Sequence, residues 1–250
     1  MQATPRRIAI VGATSSIAEH CARRWAESAP SEFVLVARDA DRTERIAADL
    51  RVRGATRTSV IVADFTRPAS IADIVRRAVA DGPLDLVLIA HGNLPDQPVC
   101  ERDLESCESA LVVNGTSPAL FAEAFAAGMF ERGAGTLVVI GSVAGDRGRR
   151  SNYVYGAAKG LVTRYVQGLQ HRAAGTAVRI VLVKPGPTDT PMTAHLRQRG
   201  AKLASVESVA ACIVDGAAKG RPVIYAPAKW ALIMMVIRHL PKVVFDRMNI

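Results

Sequence analysis

Short apolar runs punctuate the chain, and longer stretches of mixed apolar and polar residues separate them. Runs at 8–11, 33–36, 59–62 and 86–89 come about 25 residues apart, and two more follow at 137–140 and 178–183. Strands of a parallel sheet read this way, because helices cover both faces and leave few positions for polar side chains. Between them, 17–26, 41–53 and 71–79 carry apolar residues at helical spacing. A Pro/Gly-rich turn at 184–191, a helix near 206–218 and a short final strand at 222–225 complete the pattern. The alternation predicts a Rossmann-type, doubly wound α/β fold: a parallel sheet of about seven strands with helices on both faces. No linker divides the 250 residues, so residues 1–226 are expected to form one nucleotide-binding domain, with 227–250 an apolar, basic C-terminal tail.

Composition narrows this picture modestly. Cys21, Cys100, Cys107 and Cys212 are scattered, without a C-x-x-C pair or neighbouring histidines, so they read as reduced thiols and no metal site is expected. The apolar run at 8–11 is too short for a signal-peptide core, and a cytoplasmic location is expected. A net charge of +9 favours anionic partners, but only 5% of residues are aromatic and no nucleic-acid motif accompanies the charge.

Candidate chemistry concentrates in the stretch 142–159. Tyr155 and Lys159 are four apart, which on a helix places an ammonium beside a phenol and favours its ionisation. Ser142 lies thirteen residues before Tyr155, just past a predicted strand, where open α/β sheets bind ligands. Tyr153 is a rival phenol, but six residues from Lys159 it falls on another helix face. Asn114 interrupts an apolar helical stretch beside Gly115, and as a core amide holding a helix kink it would need partners.

The first strand turn, Gly12 with Thr14, Ser15, Ser16 and Ile17, reads either as an ordinary capped turn or as the small-residue approach to a pyrophosphate. Arg38 follows the second strand, where an acid would meet a ribose 2′-hydroxyl and an arginine suits a 2′-phosphate, so NADP(H) is favoured over NAD(H), the alternative being a solvated turn residue beside Asp39. Asp64 is open between adenine recognition and a helix cap shared with Thr66.

Taken together, these residues resemble the short-chain dehydrogenase/reductase family over essentially the whole chain. The resemblance implies a carbonyl reductase with Tyr155 as general acid, Lys159 on the nicotinamide ribose and lowering the tyrosine pKa, and Ser142 on the substrate oxygen. It further implies Asn114 holding a proton-relay water, Thr190 on the nicotinamide amide, and cofactor contacts from Ala90, Gly92, Pro185, Gly186 and Thr188. Two segments depart from the family pattern: the first turn keeps only Gly12, and Ile89-Ala-His-Gly92 replaces the usual Asn-Asn-Ala-Gly.

Two features bear on the substrate. Arg147, Arg149 and Arg150 sit between Ser142 and Tyr155, either solvated or reading a phosphate. Residues 230–237 are all apolar and flanked by Lys229, Arg238, His239, Lys242 and Arg247, too short to span a bilayer but suited to its interface or to packing on protein. With these, the chain is similar to reductases of the 2-keto group of decaprenylphosphoryl-2-keto-erythro-pentose, which implies an FAD-dependent oxidase partner and the inner face of the cell membrane. The alternatives are another lipid or hydrophobic ketone as substrate, or a non-catalytic cofactor-binding scaffold at a membrane. A homo-oligomer, dimer or tetramer, is expected.

Overall fold

A computed structural model describes residues 4–198 and 200–248, apart from the side chain of His195. Seven strands form the expected sheet: β1 (Arg6–Val11), β2 (Ser31–Ala37), β3 (Ala55–Val62), β4 (Leu86–Ile89), β5 (Ala134–Ile140), β6 (Ala177–Pro185) and β7 (Val223–Ala226). They run in the order β3-β2-β1-β4-β5-β6-β7, and every pairing is parallel. The order reverses direction between β1 and β4, which opens a crevice at their C-terminal ends.

Helices cover both faces. On one side α1 (Ser16–Ser28), α2 (Ala40–Val52) and a late helix pack Cys21, Trp25, Leu50, Val209 and Ile213 against the sheet. On the other, α3 (Pro68–Ala78) and two long helices bury Ile74, Phe121, Phe125, Val162 and Val166. After β4 come α4 (Gln97–Cys100) and α5 (Leu104–Leu111), which continues through one π-helical turn, Val112–Thr116, into α6 (Ser117–Arg132). The π turn is the kink that Asn114 and Gly115 foretold, and it turns the amide inward.

After β5 a 3-10 turn, Val143–Asp146, leads to α7 (Tyr153–Ala173), whose Val154, Ala158, Val162 and Val166 recur every four residues on its buried side. Asn152, at the N-cap position of α7, makes no side-chain cap among the described residues; instead Gln97 accepts from the Val154 amide at 3.1 Å. Gly145 crosses the α7 backbone so closely that a Cβ there would lie 2.6 Å from the Lys159 carbonyl. Beyond β6 lie α8 (Ala194–Gln198), then α9 (Val206–Ala218), the late helix of the first face, and after β7 the tail folds as α10 (Lys229–His239) and α11 (Lys242–Phe245).

Candidate active site

A cleft of about 910 Å³ lies along the C-terminal ends of the strands at the reversal point. Its nucleotide end is built by the β1–α1 turn, where Gly12 adopts φ +82° and a Cβ would fall 2.5 Å from the His91 amide nitrogen. Only glycine allows this turn and the one after β4 to meet, so the single surviving glycine sits where the close approach requires it. Thr14, Ser15, Ser16 and Ile17 line the wall beyond. Among the described residues Ser15 makes no side-chain cap to α1, which leaves the first-turn amides free to hold an anion.

Arg38 and Arg42 flank this end of the cleft. The acid between them, Asp39, lines the cleft as well, and its carboxylate caps α2 by accepting from the Arg42 amide at 2.9 Å. Asp64 lines the cleft and accepts from the Thr66 amide at 3.2 Å and from its hydroxyl, bonds that hold the carboxyl below its usual range. Helix α3 starts later, at Pro68 with Arg67 in the cap position, so the Asp64–Thr66 pair closes a local turn and not a helix end.

Ala90, His91 and Gly92 form the floor. His91 was not singled out from the sequence. Its Nε2 is 2.8 Å from Ser117 Oγ, and that hydroxyl spends its proton on the Phe65 carbonyl at 2.6 Å. The imidazole must therefore donate from Nε2, leaving Nδ1 bare, buried and without a partner among the described residues. Burial, with the Lys159 and Arg38 charges nearby, pulls its pKa down to about 3, so the ring is neutral.

Asn114 is fully buried and held on three sides. Its Nδ2 donates to the Ala110 carbonyl at 3.0 Å and to Asn93 Oδ1 at 2.7 Å, while its Oδ1 accepts from the Asn93 amide at 2.9 Å. The amide thus pins the loop after β4 to the π turn, and Gly92 lies against it.

The chemical end gathers Ser142, Tyr155 and Lys159. Ser142 accepts from the Ala144 amide at 3.1 Å and lines the cleft with the Tyr155 phenol. Lys159 is 3% exposed, donates to the Ile140 carbonyl at 3.1 Å, and stands 5.8 Å from the Tyr155 ring centre. Burial lowers the Lys159 pKa to about 8. The same burial raises the Tyr155 phenol above its usual value, opposed by the Ser142 hydroxyl. The ionisation that the Tyr–Lys spacing suggested is outweighed here by desolvation, and the phenol is protonated at neutral pH.

Pro185, Gly186, Thr188 and Thr190 close the far wall with Met192 and Leu196. Of the three loop arginines, Arg149 alone among the described residues lines the cleft. Arg147 turns the other way, donating to the carbonyls of Ile237 and Leu240, the latter at 2.8 Å, and stacking on Phe245. Arg150 is exposed and outside the cleft wall. Arg42, His91, Asn93 and Asn152 were missed; only Arg42 carried a local signal, three residues after an Asp capping α2.

The glycine cradle, the uncapped first turn of α1 and the paired arginines fit a phosphate-bearing dinucleotide, and the Ser142–Tyr155–Lys159 cluster beside them fits proton transfer to a carbonyl. Sequence comparison agrees: residues 6–201 match the family model described as short chain dehydrogenase, so the chain belongs to the short-chain dehydrogenase/reductase family and is an NAD(P)-dependent oxidoreductase. It is 34% identical over 244 residues to an uncharacterized oxidoreductase of Mycobacterium tuberculosis, covering 96% of each chain. A second uncharacterized oxidoreductase, from Streptomyces coelicolor, is 33% identical over 98% of this chain and 96% of its own. Among solved structures, a short-chain dehydrogenase from Sphingobium yanoikuyae in complex with NADPH superposes with a TM-score of 0.82 at 25% identity, covering 95% of this chain and 97% of that one.

Proposed function

We propose that the protein is an NADP(H)-dependent carbonyl reductase whose substrate is a ketose carried on a polyprenyl phosphate, reduced at its 2-keto group. The observation that carries the reductase reading is the convergence of Ser142, Tyr155 and Lys159 on one cleft wall, with Lys159 buried 5.8 Å from the Tyr155 ring centre. Bound in the cleft, the reduced nicotinamide supplies the hydride. Ser142 orients the carbonyl oxygen, and Tyr155 gives that oxygen its proton as negative charge develops there. Lys159, fixed by the Ile140 carbonyl, holds positive charge near the phenolate left behind. Asn114 keeps the loop after β4 in place beneath the reacting groups. The cofactor preference rests on Asp39, whose carboxylate caps α2, and on Arg38 and Arg42, which line the cleft with it; the NADPH complex of the Sphingobium relative is consistent with it.

The substrate reading rests on the loop before α7. Among the described residues Arg149 Nε and Asn152 Oδ1 are buried without hydrogen-bond partners, both on the wall near Tyr155. A donor with positive charge and a bare acceptor suit a phosphate and a sugar hydroxyl on one substrate. NADPH oxidation with a polyprenyl-phosphoryl ketose tests this. Arg149→Ala is expected to raise KM for that substrate about tenfold or more while leaving a neutral ketone unaffected, and equal effects on both would remove the phosphate contact.

A further inference from the structure

The tail helix α10 is apolar on two opposite stripes, and the body covers one of them. Trp230, Ile233, Met234 and Ile237, at i, i+3, i+4 and i+7, face inward: Met234 is 1% exposed and the Trp230 indole presses on Gly186 at the cleft wall. Leu232, Met235 and Val236 form the other stripe and are 64%, 52% and 53% exposed. Val243 and Val244 on α11 are 67% and 48% exposed. An apolar stripe of this kind on a helix end needs a covering surface.

Charge decides between coverings. Residues 227–250 contain four cations, Lys229, Arg238, Lys242 and Arg247, plus His239, against one acid, Asp246, which is paired with Lys242. In a two-fold contact between two copies, this basic rim would meet itself. An anionic bilayer offers the opposite charge to the rim and an acyl boundary to the stripe.

We propose that α10 and α11 form an interfacial foot that docks the enzyme on an anionic lipid surface. The foot is fastened to the catalytic loop. Arg147, five residues past Ser142, holds the carbonyls of Ile237 and Leu240 at the end of α10 and lies over Phe245. Asp146 beside it takes an ion pair from Lys184 and a 2.9 Å hydrogen bond from Tyr225. The foot thus stands directly against the cleft wall at Gly186 and against the loop before α7. This fits a lipid-borne substrate, although the docking stands on the tail's own chemistry and not on that reading.

The test needs no substrate. Full-length protein is sedimented with phosphatidylglycerol/phosphatidylcholine vesicles and with phosphatidylcholine alone, at low and high salt. The expected result is binding to the anionic vesicles that salt weakens and that the triple variant Leu232→Glu, Met235→Glu, Val236→Glu reduces at least about tenfold, with turnover of a soluble ketone retained as evidence of folding. Equal partition of variant and parent overturns the proposal. So does a fall in the variant's mass by analytical ultracentrifugation, which would show that a second copy of the chain covers the stripe.

Discussion

Burial sets the protonation of both partners at the centre of the site, and it acts on them in opposite directions. It lowers Lys159 to about 8 and raises the Tyr155 phenol. Lys159 therefore carries its charge below about pH 8 and loses it above, while a free lysine would keep it to about 10.4. Since kcat/KM reports the free enzyme, kcat/KM for NADPH is expected to fall as pH rises through about 8. A profile that stays flat to about pH 10 would remove the ammonium from cofactor binding. Phosphate recognition is argued at the same scale. With Asp39 capping α2, Arg38→Ala combined with Arg42→Ala is expected to weaken NADPH about 10- to 100-fold and to leave NADH nearly unchanged. Parallel losses for both cofactors in titrations would contradict the assignment.

Individual elements show how far the sequence was legible. The inner strands were readable because their apolar runs are buried on both faces, and the Tyr155–Lys159 pair because a helix imposes a fixed spacing. What a side chain touches across the fold was not readable: Gln97 capping α7 and Ser117 fixing the His91 tautomer depend on partners 57 and 26 residues away. Arg147 is the instructive case. Local sequence placed it with Arg149 beside the catalytic serine, but an irregular loop fixes no side-chain direction by spacing, and the carbonyls at the end of α10 claimed it. Two substitutions test the element-level account. Gly12→Ala puts a Cβ into the His91 backbone at a positive φ, and is expected to cost at least about 1–3 kcal/mol in denaturant unfolding. Lys184→Met strands the Asp146 carboxylate, since both side chains are under 5% exposed, and is expected to cost about 3–5 kcal/mol. Adding Asp146→Leu should recover part of that loss, and a purely additive double variant would mean the two charges do not support each other.

At the scale of the molecule, the described residues build the site along the C-terminal edge of one parallel sheet. The turn after β1 and the loop after β4 meet at the reversal point to hold the nucleotide, and β5, α7 and the turn after β6 supply the reacting end. The tail belongs to this architecture because Trp230 touches the cleft wall at Gly186 and Arg147 ties the loop before α7 to the end of α10. The central claim is that Tyr155 delivers the proton in a carbonyl reduction. The most direct measurement is NADPH oxidation by Tyr155→Phe with a ketone that the parent protein turns over, alongside NADPH binding by the same variant. The account predicts a rate lower by about 10²–10⁴-fold with NADPH affinity preserved; turnover near the parent rate, with the cofactor bound, would contradict it.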